Sequence, residues 1–103
     1  MHAQLITYRL TDVPRQEVID NLIKPYTEYF AKLETLVSKV WLNDEATGNY
    51  GGFYVWRDKA AFDEFMQSDA AADIIGKPFV VELTSRDWPI DVEASQATRG
   101  IPS

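Results

Sequence analysis

Large apolar side chains fill both alternating sets of positions in two neighbouring runs, residues 36–42 and 50–57. Val, Trp, Phe and Tyr suit a pleated surface. Between the runs lies a polar stretch of turn formers, Asn43 to Asn49, so the pattern predicts a β-hairpin over 35–57. Leu36, Val40 and Leu42 fall on one side of its first strand, Val37 and Trp41 on the other. The second strand sets Phe53 and Val55 against Tyr54 and Trp56. A sheet wet on one face would place polar residues at every second position. This hairpin needs cover on both faces.

The rest of the chain frames that hairpin. Residues 3–10 read as a strand. Asp12 is a candidate helix cap with Pro14 in the first turn. Val18, Leu22, Tyr26, Tyr29 and Leu33 then follow at helical spacing. Pro25 removes a hydrogen bond and crowds the carbonyl of Asn21, which predicts a kink or break. Asp58 caps a second helix carrying Phe62, Phe65 and Met66. Ser68 or Asp69 restarts it, and Gly76 is a candidate left-handed cap. Phe79 to Thr84 read as the last strand. Trp88-Pro89 opens a tail (88–103) with a weak helix over Ile90–Thr98 and a fraying end at Gly100–Ser103.

The order β-α-β-β-α-β is the ferredoxin-like pattern of the α+β class: a four-stranded antiparallel sheet with its helices on one face. The more uniformly apolar set, Val40, Leu42, Phe53, Val55, Val81 and Leu83, is expected to meet the helices. Trp41, Tyr54 and Trp56 then point to the open face. An apolar patch of that size marks an interaction surface, here assigned to a second copy of the chain.

Composition narrows the function. The length of 103 residues suits one domain, 1–103, and the net charge of −6 opposes nucleic acid and anionic membranes. Tyr50 to Trp56 match the aromatic strand of RNA-recognition domains only at Gly52, Phe53 and Trp56, so RNA binding is not expected. The chain contains no cysteine, hence no disulfide framework or thiolate chemistry. No signal peptide or spanning helix is apparent, which predicts a soluble cytoplasmic protein. His2, the only histidine, reads as a solvated terminal residue. With no His pair, no calcium-loop spacing, no phosphate-cradling loop and no nucleophile elbow, no metal or cofactor is expected.

What remains is ring density: three Trp, five Tyr and five Phe. Tyr26, Tyr29, Phe30, Phe62 and Phe65 lie on helix faces that should meet the sheet. They serve as packing, or as the lining of a small-molecule cavity together with Tyr54 and Trp56. Lys39 shares a face with Trp41. It reads either as an interfacial lysine paired with Glu82 or another carboxylate, or as a stabiliser of an oxyanion or phenolate.

Lys39-Val40-Trp41, the polar turn, Tyr50-Gly51-Gly52-x-Tyr54-x-Trp56 and Asp58 together resemble the YdhR-like mono-oxygenase family of the dimeric α/β-barrel superfamily. Leu22, Pro25 and the stretches Thr84–Asp87 and Thr98–Gly100 add to the likeness. The resemblance implies a homodimer whose sheets face each other as a barrel, with the tail reaching the partner. It also implies cofactor-independent oxygenation of a small aromatic or polycyclic phenol or quinol, with Trp41 and Lys39 as candidate catalytic residues. The Asn/Trp/His set of some relatives cannot be carried over, because this chain has no internal His. A non-catalytic ligand-binding or stress-associated dimer, or an isomerase or cyclase on the same scaffold, would use the same rings.

Overall fold

The computed structural model describes residues 1–102. Its elements are β1 (His2–Leu10), α1 (Arg15–Val18), a π-helical turn (Ile19–Ile23) and α2 (Lys24–Ala31). Next come β2 (Leu36–Asp44), β3 (Asn49–Trp56), α3 (Lys59–Met66), α4 (Asp69–Gly76), β4 (Val80–Pro89) and α5 (Val92–Ala97). The sheet order is β2-β3-β1-β4 and its pairings are antiparallel. With the helices packed on one face, this is the ferredoxin-like fold the sequence predicts.

The two faces of the hairpin are the reverse of the expectation. Tyr54, Trp56 and Trp41 pack with the helices, whereas Val40, Leu42 and Phe53 point outward and are exposed, Val40 at 55%. The helical layer buries the residues with the largest apolar area, and Trp and Tyr exceed Val and Leu in that respect. The strand phase also slips. A bulge between Leu36 and Ser38 puts Leu36 on the same face as Lys39 and Trp41. A second irregularity, between Thr7 and Arg9 against β4, places Glu82 at φ 53° and turns Leu83 toward the core while Val81 pairs with Arg9.

The helix after β1 does not break at Pro25. It runs from α1 into α2 through the π-turn, whose wider coil relieves the crowding that proline imposes on the preceding turn. Thr27 Oγ1 donates to the Ile23 carbonyl at 2.6 Å. Asp12 is not the cap: Pro14 holds that position, with no side-chain bond. Asp58 and Ser68 cap α3 and α4 as expected, accepting from the amides of Ala61 (2.8 Å) and Ala71 (3.1 Å). Gly76 is not left-handed; it is the last residue of α4, and the chain turns extended at Lys77.

β4 is longer than expected and runs to Pro89, so Trp88 belongs to the sheet, opposite Ala3, and not to a tail. Past α5 the chain does not fray. Arg99 turns at φ 65°, the Gly100 amide donates to the Ser95 carbonyl at 2.7 Å, and Ile101 is buried; Ser103 lies outside the described residues. His2 is also not solvated. It opens the central strand, is buried against Phe62, and its Nε2 is 2.6 Å from Asp87 Oδ2 on β4. A terminal residue becomes interior when its strand has neighbours on both sides.

The Gly51-Gly52 pair is set by close backbone approach. A Cβ at Gly51 would sit 1.9 Å from the Ile6 carbonyl oxygen, with only backbone there to yield. Gly51→Ala is therefore expected to lower unfolding free energy by about 2–4 kcal/mol in urea denaturation. Gly76→Ala, which meets open space, should be neutral or stabilising by up to about 1 kcal/mol.

Candidate functional site

Lys39 leaves β2 on the helix face, opposite Tyr54, and its side chain crosses over Gly52. A Cβ at Gly52 would lie 2.9 Å from Lys39 Cε and 3.1 Å from the Tyr54 ring, so the missing side chain is the space the lysine uses. The ammonium then sits against three rings: 3.5 Å from the Trp41 centroid, 3.9 Å from Phe30 and 4.5 Å from Tyr54. Among the described residues no carboxylate pairs with it. Glu82, the partner considered from sequence, lies on β4 at the far edge of the sheet and pairs with Arg9 at 3.4 Å. The described residues contain no buried side-chain nitrogen or oxygen without a partner, so the unpartnered Nζ touches solvent.

Burial pushes the Lys39 pKa down to about 7, because a low-dielectric surround disfavours the charged form. The ring faces pull the other way by attracting the cation. The result is an amine balanced between its two protonation states near neutrality. Tyr54 and Tyr8 are both shifted upward, by burial first, so these phenols stay protonated and can donate. Tyr26 is raised to about 12, by burial and then by its hydrogen bond to Asp73. That bond ties α2 to α4 over the helix side of the site.

The cavities converge on Trp41. A cleft of about 290 Å³ is lined by Tyr8, Leu10, Arg15, Val18, Trp41 and Tyr50. A groove of about 340 Å³ is lined by Thr27, Phe30, Leu33, Leu36, Lys39 and Trp41. Trp41 and Thr27 belong to both, so the indole is the partition between them. Behind it, a small enclosed space is walled by Tyr8, Tyr26, Lys39, Trp41 and Tyr54.

Of the residues singled out from sequence, Lys39, Trp41, Tyr54 and Tyr26 thus meet around one space. Trp56 and Phe65 stand behind them. Trp56 is fully buried, stacked on Tyr54 (5.6 Å) and Phe65 (4.9 Å), and its Nε1 donates to Gln4 Oε1 at 2.9 Å. Tyr29 lies on the surface, edge-on to Phe30 at 5.1 Å. Phe30, one of the rings expected on the helix face, joins them, and two members were not picked from sequence: Tyr8 and Arg15. Tyr8 lies two residues after Ile6 on β1, so its spacing carried a signal. Arg15 carried none.

No curated protein matches this sequence. Solved structures share the fold at low identity. One is a protein of Deinococcus radiodurans described as a "putative antibiotic biosynthesis monooxygenase" (TM-score 0.71, 12% identity, 87% of this chain and 92% of that one). Another is SnoaB of Streptomyces nogalater, a cofactor-independent oxygenase (TM-score 0.67, 13% identity, 87% and 92%). The hydroxynitrile lyase of Passiflora edulis is also similar (TM-score 0.63, 17% identity, 87% and 94%). The family described as "Putative mono-oxygenase ydhR" matches residues 8–101. That span holds the lysine, its ring cage and the glycine pair beneath it, and the chain belongs to this mono-oxygenase family.

Proposed function

We propose that the protein is a cofactor-independent mono-oxygenase for a small aromatic or polycyclic phenol or quinol, working as a homodimer. The observation that carries this reading is Lys39: partly buried, without a carboxylate partner, held near neutrality and walled by aromatic rings. A base is most useful when its pKa lies near the working pH. The neutral amine takes the phenolic proton. The ammonium so formed stays beside the phenolate and stabilises it where water is largely excluded. The electron-rich anion then reduces dioxygen directly. One oxygen atom becomes a carbonyl on a ring carbon, and the other leaves as water with that carbon's hydrogen and the phenolic hydrogen. The aromatic walls seat the flat substrate, and Trp41 sets its distance from Lys39.

The second copy is proposed to cover the outer sheet face. Val40, Leu42, Phe53 and Trp88 are exposed there, and Val40 and Phe53 are directly paired across β2 and β3. Exposed Val92 on α5 extends the contact from the C-terminal segment. Stable homodimer interfaces bury upwards of ~2,000 Å² and are largely apolar. The chain should sediment as a dimer at micromolar concentration, and Val40→Glu with Phe53→Glu should shift it to monomer. A wild-type chain that sediments as a folded monomer would remove the partner from the proposal.

Oxygen uptake with a panel of hydroquinones and anthrones, using protein stripped of metal and flavin, tests the activity. Lys39→Met should lower turnover by roughly a hundredfold or more, with folded protein retained. Trp41→Phe should cost about 1–3 kcal/mol of stability and reduce turnover by more than the unfolded fraction explains. Activity unchanged in both folded variants would place the chemistry elsewhere.

The lysine also predicts a pH signature of stability. Its folded pKa, about 7, lies below the ordinary 10.5. Between those values the unfolded chain binds a proton that the folded chain does not, so this group adds stability as pH rises. In urea denaturation the wild type should therefore gain stability relative to Lys39→Met between about pH 7 and about pH 10. A parallel pH dependence of the two proteins would show that the lysine remains charged.

A further inference from the structure

Lys39 differs from the other lysines of the chain in its surroundings. Lys24, Lys59 and Lys77 each hold an aspartate one turn away along a helix, and Lys32 is exposed at the end of α2. Lys39 is held against three ring faces instead, and Gly52 leaves its stem the room to reach them. Two of those rings, Phe30 and Trp41, also wall the groove of about 340 Å³ between α2 and β2. The nitrogen therefore stands at the inner wall of a space with the volume of a small-molecule site. Ala31, Leu33 and Leu36 make the rest of the groove mainly apolar, and among the described residues Lys39 is the one ionisable group that lines it. An amine in such a place is a nucleophile as well as a base. Burial brings its pKa down to about 7, so near neutral pH a large share of it carries a free lone pair.

We propose that Lys39 also condenses with flat, uncharged aromatic aldehydes that enter this groove. The nitrogen lone pair adds to the carbonyl carbon while one amine hydrogen passes to the oxygen, forming a carbinolamine. That hydroxyl then leaves with the second amine hydrogen as water, and an imine remains. No oxidant or reductant takes part. The apolar and aromatic walls favour a ring over an aliphatic chain of hydroxyls. They also disfavour a charged guest. A cationic aldehyde meets no carboxylate there, and an anionic one stabilises the ammonium and so removes the lone pair that must attack. The inference goes beyond the oxygenase reading. It shares the amine with that reading but needs neither dioxygen nor a substrate that ionises.

The test is reductive trapping. The full-length protein is incubated at pH 7 with 2-naphthaldehyde and sodium cyanoborohydride, which reduces an imine to a stable secondary amine, and the adduct is located by peptide mass spectrometry. Labelling of Lys39 should exceed that of Lys24, Lys32, Lys59 or Lys77 by roughly tenfold or more, because a lysine of ordinary pKa is neutral in fewer than about one molecule in a thousand at this pH. With glyceraldehyde, which has no ring for the groove to hold, the preference should be several-fold smaller. Lys32→Met should leave the labelling of Lys39 unchanged, and folded Lys39→Met should lose the dominant adduct. Labelling spread evenly over the lysines overturns the inference, as does an equal preference with glyceraldehyde or a dominant adduct that survives in Lys39→Met. Where Lys39→Met does not fold, the wild-type map decides. Trapping at Lys39 in a protein that consumes no oxygen with phenols would remove the oxygenase reading and leave this one standing. Oxygen uptake without trapping at Lys39 would do the reverse.

Discussion

A continuous layer of rings between helices and sheet governs the structure. Phe30 touches Trp41, Tyr54 and Phe65; Tyr54 stacks on Trp56; Trp56 stacks on Phe65. The layer is pinned at one end by a buried polar chain, Trp56 to Gln4 and Gln4 Nε2 to Ser85 Oγ at 3.0 Å. An indole N–H and an amide sealed from water would each cost stability unpaired, and their mutual bond fixes which face of β1 and β3 turns inward. Once the rings are committed to that side, the aliphatic residues of the hairpin must face out. The lysine at the end of the ring layer lies over the ring faces.

Much of this was legible in the sequence, and the failures have physical causes. Element order followed from periodicity and turn chemistry, and the caps at Asp58 and Ser68 from short-range hydrogen bonding. The face of the hairpin was not legible from uniformity of apolar character, because burial rewards area. The bulge at Val37 also breaks the two-residue period that any such reading assumes. Pro25 marked a real interruption of the regular helix, but a proline rule written for the α-helix does not anticipate that it takes the form of a coil widened one turn earlier. His2 was misplaced because nothing in its neighbours shows that its strand is central. Lys39 and Trp41 stood out from sequence through a shared face. The cage around the lysine needed Phe30 from a distant helix and the space above Gly52.

The fold does not by itself assign the chemistry. The same architecture carries an oxygenase in SnoaB and a lyase in the Passiflora edulis protein. What distinguishes one chemistry from another is which titratable group reaches the space between helices and sheet. In this chain that group is an amine without a counter-charge, and the neighbouring phenols are kept protonated by burial. That space therefore holds one amine whose pKa lies near neutrality among phenols that burial keeps protonated.

The π-turn at Ile19–Ile23 acts as a frame marker in the helix. Such a turn holds one residue more than the regular coil, and each residue of an α-helix advances by about 100° around the axis. The segment before it carries Arg15 and Val18 at the cleft; the segment after it carries Tyr26 and Phe30 at the ring layer. Loss of a single residue within the turn would leave a smooth helix whose two halves are out of step. With Tyr26 and Phe30 held by packing, the earlier half would rotate as a unit and carry Arg15 away from the cleft. In this family member a length change of one residue in that turn is thus a larger event than most substitutions. It would reshape the cleft while leaving the rings, the lysine and the sheet in place.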